Sequence, residues 1–301
     1  MSLLIAVGEK KSLTFSSTDV RGITLNSYIF QGTSTGGGDA NIYAIDWSKV
    51  YINITLRQNG VSKTICATSV KPLAQHLNYF NGTFDSCANA QNGQTLSLDQ
   101  DGNRIQGCPL DFGCVINLRG DDSLVVELRL QSDCINNNIS GTSYVEADVI
   151  EGVGLQYSTP RFSTFAINGG ESKFSHSIGD NACLVSLQNI SSQPTQTADQ
   201  SPWQNARLFS DRYNVNDDIG QLATKRVSMF PSEVYRNQSF VLSAETTDST
   251  QVQLDLFPAN NRTNENYLCY TTYDTDAKLV ATAERRAKKH AKKSIEKVIK
   301  G

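Results

Sequence analysis

Apolar and polar side chains alternate at every second position along much of the first 275 residues. Val50, Ile52, Ile54 and Leu56 alternate with Tyr51, Asn53, Thr55 and Arg57. Leu124, Val126, Leu128 and Leu130 share one face, with Glu127 and Arg129 on the other. Cys183, Val185 and Leu187 repeat the pattern, as do Val252, Leu254 and Leu256 against Gln251, Gln253 and Asp255. A period of two with one apolar face marks half-buried strands of antiparallel sheets. Further strands are predicted over 22–30, 42–47, 94–98, 144–150, 161–167, 206–213, 224–230, 239–246 and 267–273. Polar stretches rich in Gly, Asn, Asp and Ser separate them, as at 32–39, 89–93 and 99–107.

Roughly fifteen short strands with few helices indicate sandwiches or barrels, and exceed what one eight-stranded jelly roll uses. The strongest alternating strands also recur at similar spacing, from Val50 to Leu124 and again from Cys183 to Val252. The offset between the two pairs is close to one jelly-roll length. The expected fold is therefore all-β, with two tandem jelly-roll barrels of eight antiparallel strands. The first is expected over residues 1–150 and the second over 151–275, with a boundary near Glu151–Ser158 and a basic tail over 276–301.

Two helical patterns interrupt the strands. Over 71–79, Pro72 stands in the first turn, Leu73, His76, Leu77 and Phe80 recur at helical spacing, and Asn81-Gly82 follows. The second helix is the tail. Asp274 or Thr275 caps it, and Val280, Ala283, Ala287, Ala291, Ile295 and Val298 form a narrow apolar stripe. At 1.5 Å per residue it would extend about 37 Å.

Charge gives the chain a polarity that periodicity does not show. It has 301 residues, 27 Lys and Arg, 30 Asp and Glu, and a net charge of -3. Nine of the basic residues fall within 278–301, against Glu284 and Glu296, so this stretch carries +7. The remainder has 18 basic and 28 acidic side chains, a net of -10. Such asymmetry assigns an anionic partner to the tail, through Arg285, Arg286, Lys288, Lys289, Lys292, Lys293, Lys297 and Lys300. Each cation close to an anionic bilayer contributes about 1 kcal/mol. Because the stripe is narrow and half of it is Ala, peripheral adhesion to lipid fits better than insertion. Contact with nucleic acid phosphates and a merely solvated tail are the rivals.

Residues able to carry chemistry are sparse. Gly32-Thr33-Ser34-Thr35-Gly36 has the spacing of a nucleophile elbow, but Gly37, Gly38 and a predicted strand follow where that motif needs a helix. Three histidines, His76, His176 and His290, have no nucleophile or metal ligand nearby in sequence. Asp99, Asp101 and Asn103 alternate as in a calcium loop. Yet Gly102 is fourth instead of sixth and no Glu stands at position twelve, so an Asp-Gly turn is the better reading. Calcium is thus the sole cofactor considered, and no catalysis is expected. The seven cysteines show no C-x-x-C pair. Without a signal-peptide pattern at the N-terminus, the chain is expected to stay in the cytoplasm with mostly reduced thiols, Cys108 and Cys114 being the pair placed to oxidise.

These features together resemble the major capsid proteins of tailless, internal-membrane icosahedral phages (the tectivirus, corticovirus and finnlakevirus groups). The resemblance is one of architecture over residues 10–275 and transfers no functional residue. It implies a homotrimer of double barrels forming a pseudo-hexagonal capsomer, packed in a lattice over a lipid vesicle, within a virion assembled in the host cytoplasm. Penton or spike proteins would be its neighbours there, and the basic helix would face lipid. The rival readings are a β-sandwich spike or adhesin that binds a receptor or carbohydrate, and a double-barrel enzyme of the cupin type, for which three scattered histidines are too few.

Overall fold

The computed structural model describes residues 3–29, 45–81, 97–98, 104–135, 143–168, 170–178, 182–189, 203–210, 214–218, 221, 239–245, 250–256, 266–274 and 288. In chain order the first half gives β1 (Leu3–Ala6), β2 (Lys10–Ser16), β3 (Asp19–Ile29), a 3-10 turn (Trp47–Lys49), β4 (Val50–Gln58), β5 (Val61–Ser69) and helix α1 (Val70–Asn81). It continues with β6 (Ser97–Leu98), β7 (Arg104–Asn117), β8 (Ser123–Leu130) and β9 (Tyr144–Glu151). The second half gives β10 (Thr159–Ile167), β11 (Lys173–Ile178), β12 (Ala182–Asn189), β13 (Trp203–Phe209), β14 (Asn214–Asp218), β15 (Ser239–Glu245), β16 (Thr250–Leu256) and β17 (Asn266–Asp274).

These strands form four antiparallel sheets. Two belong to the first half, ordered β1-β9-β3-β7-β6 and β2-β8-β4-β5. Two belong to the second, ordered β10-β17-β12-β15 and β11-β16-β13-β14. If the two-residue β6 is set aside, the described residues of each half give eight strands in the same order, first-eighth-third-sixth over second-seventh-fourth-fifth. That is the jelly-roll arrangement, twice. Alternation supplies the reason: Val50, Ile52, Ile54 and Leu56 of β4 and Leu124, Val126, Leu128 and Leu130 of β8 all point into the first core. Val252, Leu254 and Leu256 do the same in the second.

Several expectations are corrected. Residues 45–47 are not a strand: Ile45 makes one isolated bridge to Ile135, and Trp47 opens the 3-10 turn, capped by the Asp46 carboxylate accepting from the Ser48 N–H. The repeat is real, but the strands paired by spacing are not all equivalent. In topology β4 corresponds to β13 and β12 to β3, so only the Leu124 and Val252 strands form a true pair. Helix α1 runs over Val70–Asn81, longer at both ends than 71–79. The strand expected over 224–230 lies outside the described residues. Strands β2, β5, β7, β11 and β14 went unpredicted. For β5 a cue exists, because Asn59 and Gly60 both adopt positive φ (52° and 76°), the two-residue turn that suits a tight hairpin.

Cysteine chemistry also departs from expectation. Cys114 is a free thiol whereas Cys108 is disulfide-bonded, so the two are not joined to each other. Cys66, Cys134 and Cys269 are free as well. Burial pushes the Cys66 and Cys114 thiols up to about 12, which keeps them protonated and unreactive.

Candidate assembly unit at the seam between the barrels

α1 lies where the two barrels meet. Every residue from Val70 to Leu77 is buried, polar ones included. An amphipathic surface helix would leave one face in water. This helix instead has barrel on both sides, touching β4, β5 and β7 of the first half and β10, β12 and β17 of the second.

His76 is the polar centre of that seam. Its Nδ1 lies 2.7 Å from Ser186 Oγ on β12, and its Nε2 lies 2.8 Å from Thr271 Oγ1 on β17. A neutral imidazole donates from one nitrogen and accepts at the other, and each hydroxyl can take either role. Both ring nitrogens are thereby satisfied by the second barrel. All three residues are at most 1% exposed. Burial pushes the His76 pKa down to about 3. A serine beside a histidine suggests a hydrolytic pair, but Ser186 is fully buried and already accepts from the Gln188 amide. No substrate reaches it, and so weak a base could not activate it at neutral pH.

Further contacts tie the halves together. Thr164 of β10 donates to Thr68 of β5 at 2.6 Å. Phe162 of β10 packs into the first core, its ring centroid 5.7 Å from that of Phe112. The linker after β9 is pinned as well. Gln156 N–H donates to Asn117 Oδ1, and Asn117 N–H donates to Gln156 Oε1, both at 2.9 Å. Asn117 Nδ2 also donates to the Gly154 carbonyl. Helix, aromatic pair and linker together join the two barrels through contacts with both halves.

The structure leaves most residues singled out from sequence undescribed. Lys288 is helical and exposed, but Arg285, Arg286, Lys289, Lys292, Lys293, Lys297 and Lys300 lie outside the described residues. So do Asp99, Asp101, Asn103, His290 and the segment 32–36. Among the described residues, no three His, Cys, Asp or Glu side chains gather as a metal site, and no helix is long and apolar enough to cross a membrane. His176, the remaining described histidine, packs its ring 3.8 Å from that of Phe165. What sequence reasoning missed is the partnership of His76 with Ser186 and Thr271, respectively 110 and 195 residues away.

No family model and no curated protein matches the chain. Solved structures do. The STIV MCP is 13% identical, with 91% of this chain and 94% of that one aligned at a TM-score of 0.54. PBCV-1 VP54, fitted into a reconstruction of the virophage Sputnik, is 9% identical over 90% and 92% at a TM-score of 0.56. A chain in the atomic structure of Sulfolobus Turreted Icosahedral Virus is 12% identical over 95% and 94% at a TM-score of 0.52. Identities this low carry the fold alone, and near-complete coverage of both chains carries all of it. The chain is a double jelly roll with the architecture of viral major capsid proteins.

Proposed function

We propose that this chain is a structural capsid protein that acts by self-assembly and catalyses nothing. The observation that carries the reading is the pair of topologically identical barrels joined by α1. A block with two like halves can tile as though it were two subunits. Three copies around a threefold axis then present six barrels, a pseudo-hexagonal outline suited to an icosahedral lattice. Barrels also leave few free strand edges, so copies meet face to face without uncontrolled strand pairing. The chain would reside in the virion, with copies of itself and with penton or spike proteins as neighbours. The basic tail, including Lys288, would lie beneath the barrels against the phosphates of an internal membrane, leaving the acidic body outward.

Light scattering on the purified protein is expected to give about 99 kDa, three copies of 33.0 kDa. A strict monomer at every salt and calcium concentration would remove the capsid reading. The tail is tested separately. Full-length protein should float with phosphatidylserine liposomes at low salt, and deletion of residues 277–301 should abolish flotation. Equal flotation of both proteins would rule out the lipid-facing role while leaving the barrels' assembly untouched.

A further inference from the structure

The outward face of the sheet β11-β16-β13-β14 breaks the composition rules for strands. In register across it, Arg207 stands between Gln253 and Asn216, with Ser175 beyond Gln253. The next row sets Asn205 between Asp255 and Asp218, with Lys173 at the edge. A third row adds Gln251, Phe209 and Asn214. No outward position in these rows is β-branched, although strands favour such residues and disfavour Asn and Asp. The topologically equivalent sheet of the first barrel keeps one β-branched row on its outer face, where Thr14, Val125 and Thr55 lie side by side. Its other rows, such as Lys10, Arg129 and Tyr51 or Ser12, Glu127 and Asn53, are polar. A strand preference set aside in every row around Arg207 marks a candidate functional surface.

The shape and charge of this face point the same way. Most of the first two rows line a groove of about 480 Å³, within the size range of small-ligand sites. Lys173 and Arg207 balance Asp218 and Asp255, so the face is neutral overall. Arg207 is held in place, its Nε donating to Asn214 Oδ1 at 2.9 Å and its guanidinium carbon 4.6 Å from the Phe209 ring centroid. One N–H is used there, leaving the fork's other donors for a ligand. The centre of a contact between protein copies would be richer in aromatic residues and poorer in Asp, Ser and Lys.

We infer that this groove binds a neutral oligosaccharide. Each sugar hydroxyl both donates and accepts, and each amide of Asn205, Asn216 and Gln253 offers both functions at strand spacing. Arg207 and Asp255 add the stronger charged hydrogen bonds that fix orientation. The inference is independent of the capsid reading, because it concerns one sheet face and not assembly.

The test is an array of neutral and acidic oligosaccharides probed with the full-length protein, followed by calorimetric titration of the strongest neutral binder. Wild type is expected to bind neutral oligosaccharides. Arg207→Ala and Asn216→Ala should each weaken binding at least tenfold, with melting temperature and oligomeric state unchanged. Three results would each overturn the site: no neutral signal above that of an Arg207→Ala/Gln253→Ala double variant, binding confined to acidic glycans, or single variants that bind like wild type.

Discussion

Acidification from pH 7 to pH 4 is expected to remove about 3 kcal/mol of stability through His76 alone. In the fold its pKa is pushed down to about 3 by burial, while the unfolded chain titrates near the ordinary 6.5. Between those values the unfolded chain binds a proton that the folded chain refuses. The contribution is therefore intact above about pH 6.5 and drains away as pH falls towards 3. The hydroxyls of Ser186 and Thr271 can both turn to accept from an imidazolium, so hydrogen bonding does not oppose protonation. What opposes it is a charge in a seam that water does not enter. His176 shifts in the same direction from its partial burial and reinforces the trend.

Denaturant titrations at pH 7 and pH 4 measure the effect, with His76→Gln as the comparison. The variant should lose about 1–2 kcal/mol at pH 7, because its amide fits the two hydroxyls less well. It should then lose far less than wild type on acidification, having no proton to gain. Equal losses in both proteins would show that the acid sensitivity comes from surface carboxylates instead.

Gly22→Ala is expected to cost about 3 kcal/mol, at the upper end for overpacking a core. A Cβ at this position would lie 2.3 Å from the Leu110 carbonyl oxygen and 2.9 Å from Asp111 Cα. Both obstacles are backbone, so no rotamer change relieves them. Gly22 also sits at a shift in register, between Val20 and Gly22, where β3 pairs with β7 on one side and β9 on the other. Moving β3 away from Leu110 therefore disturbs both ladders of a central strand. Gly170→Ala supplies the control, since a Cβ there would meet nothing within 4 Å and the backbone φ is ordinary. That change should stay within about 0.5 kcal/mol of wild type. If the two substitutions have equal effects in urea denaturation, the close approach of β3 and β7 is not what requires glycine.

Legibility varied along the chain for physical reasons. Strands β4, β8 and β16 were readable because each buries one face against a core and wets the other. Strand β7 was not: Cys108, Leu110, Phe112 and Ile116 alternate into the core, but Gly107, Pro109 and Gly113 on the intervening positions read as turn signals. Strand β5 hides its pattern behind a register shift opposite Ile54 and Thr55, leaving Cys66 adjacent to Ile65 in the buried set. In the second barrel, β11 alternates but presents Ser175 and Ser177 outward and His176 inward, too polar to stand out. The helix itself was visible from Pro72 and Leu73, but not its setting, because nothing local distinguishes one apolar environment from two.

The order of amino acids was enough for the all-β class, the doubling into two barrels and the division of charge between body and tail. Periodicity and composition are local properties, and each strand carries its own. Which strands are equivalent between the barrels, how α1 joins them, and that His76 is held neutral beside Ser186 and Thr271 emerged only from the closed fold. Those outcomes depend on groups that meet only after both sandwiches close, across sequence separations over which no periodicity extends. The outward face around Arg207 belongs to both: its residues could be read in order, but its rows exist only once four strands lie in register.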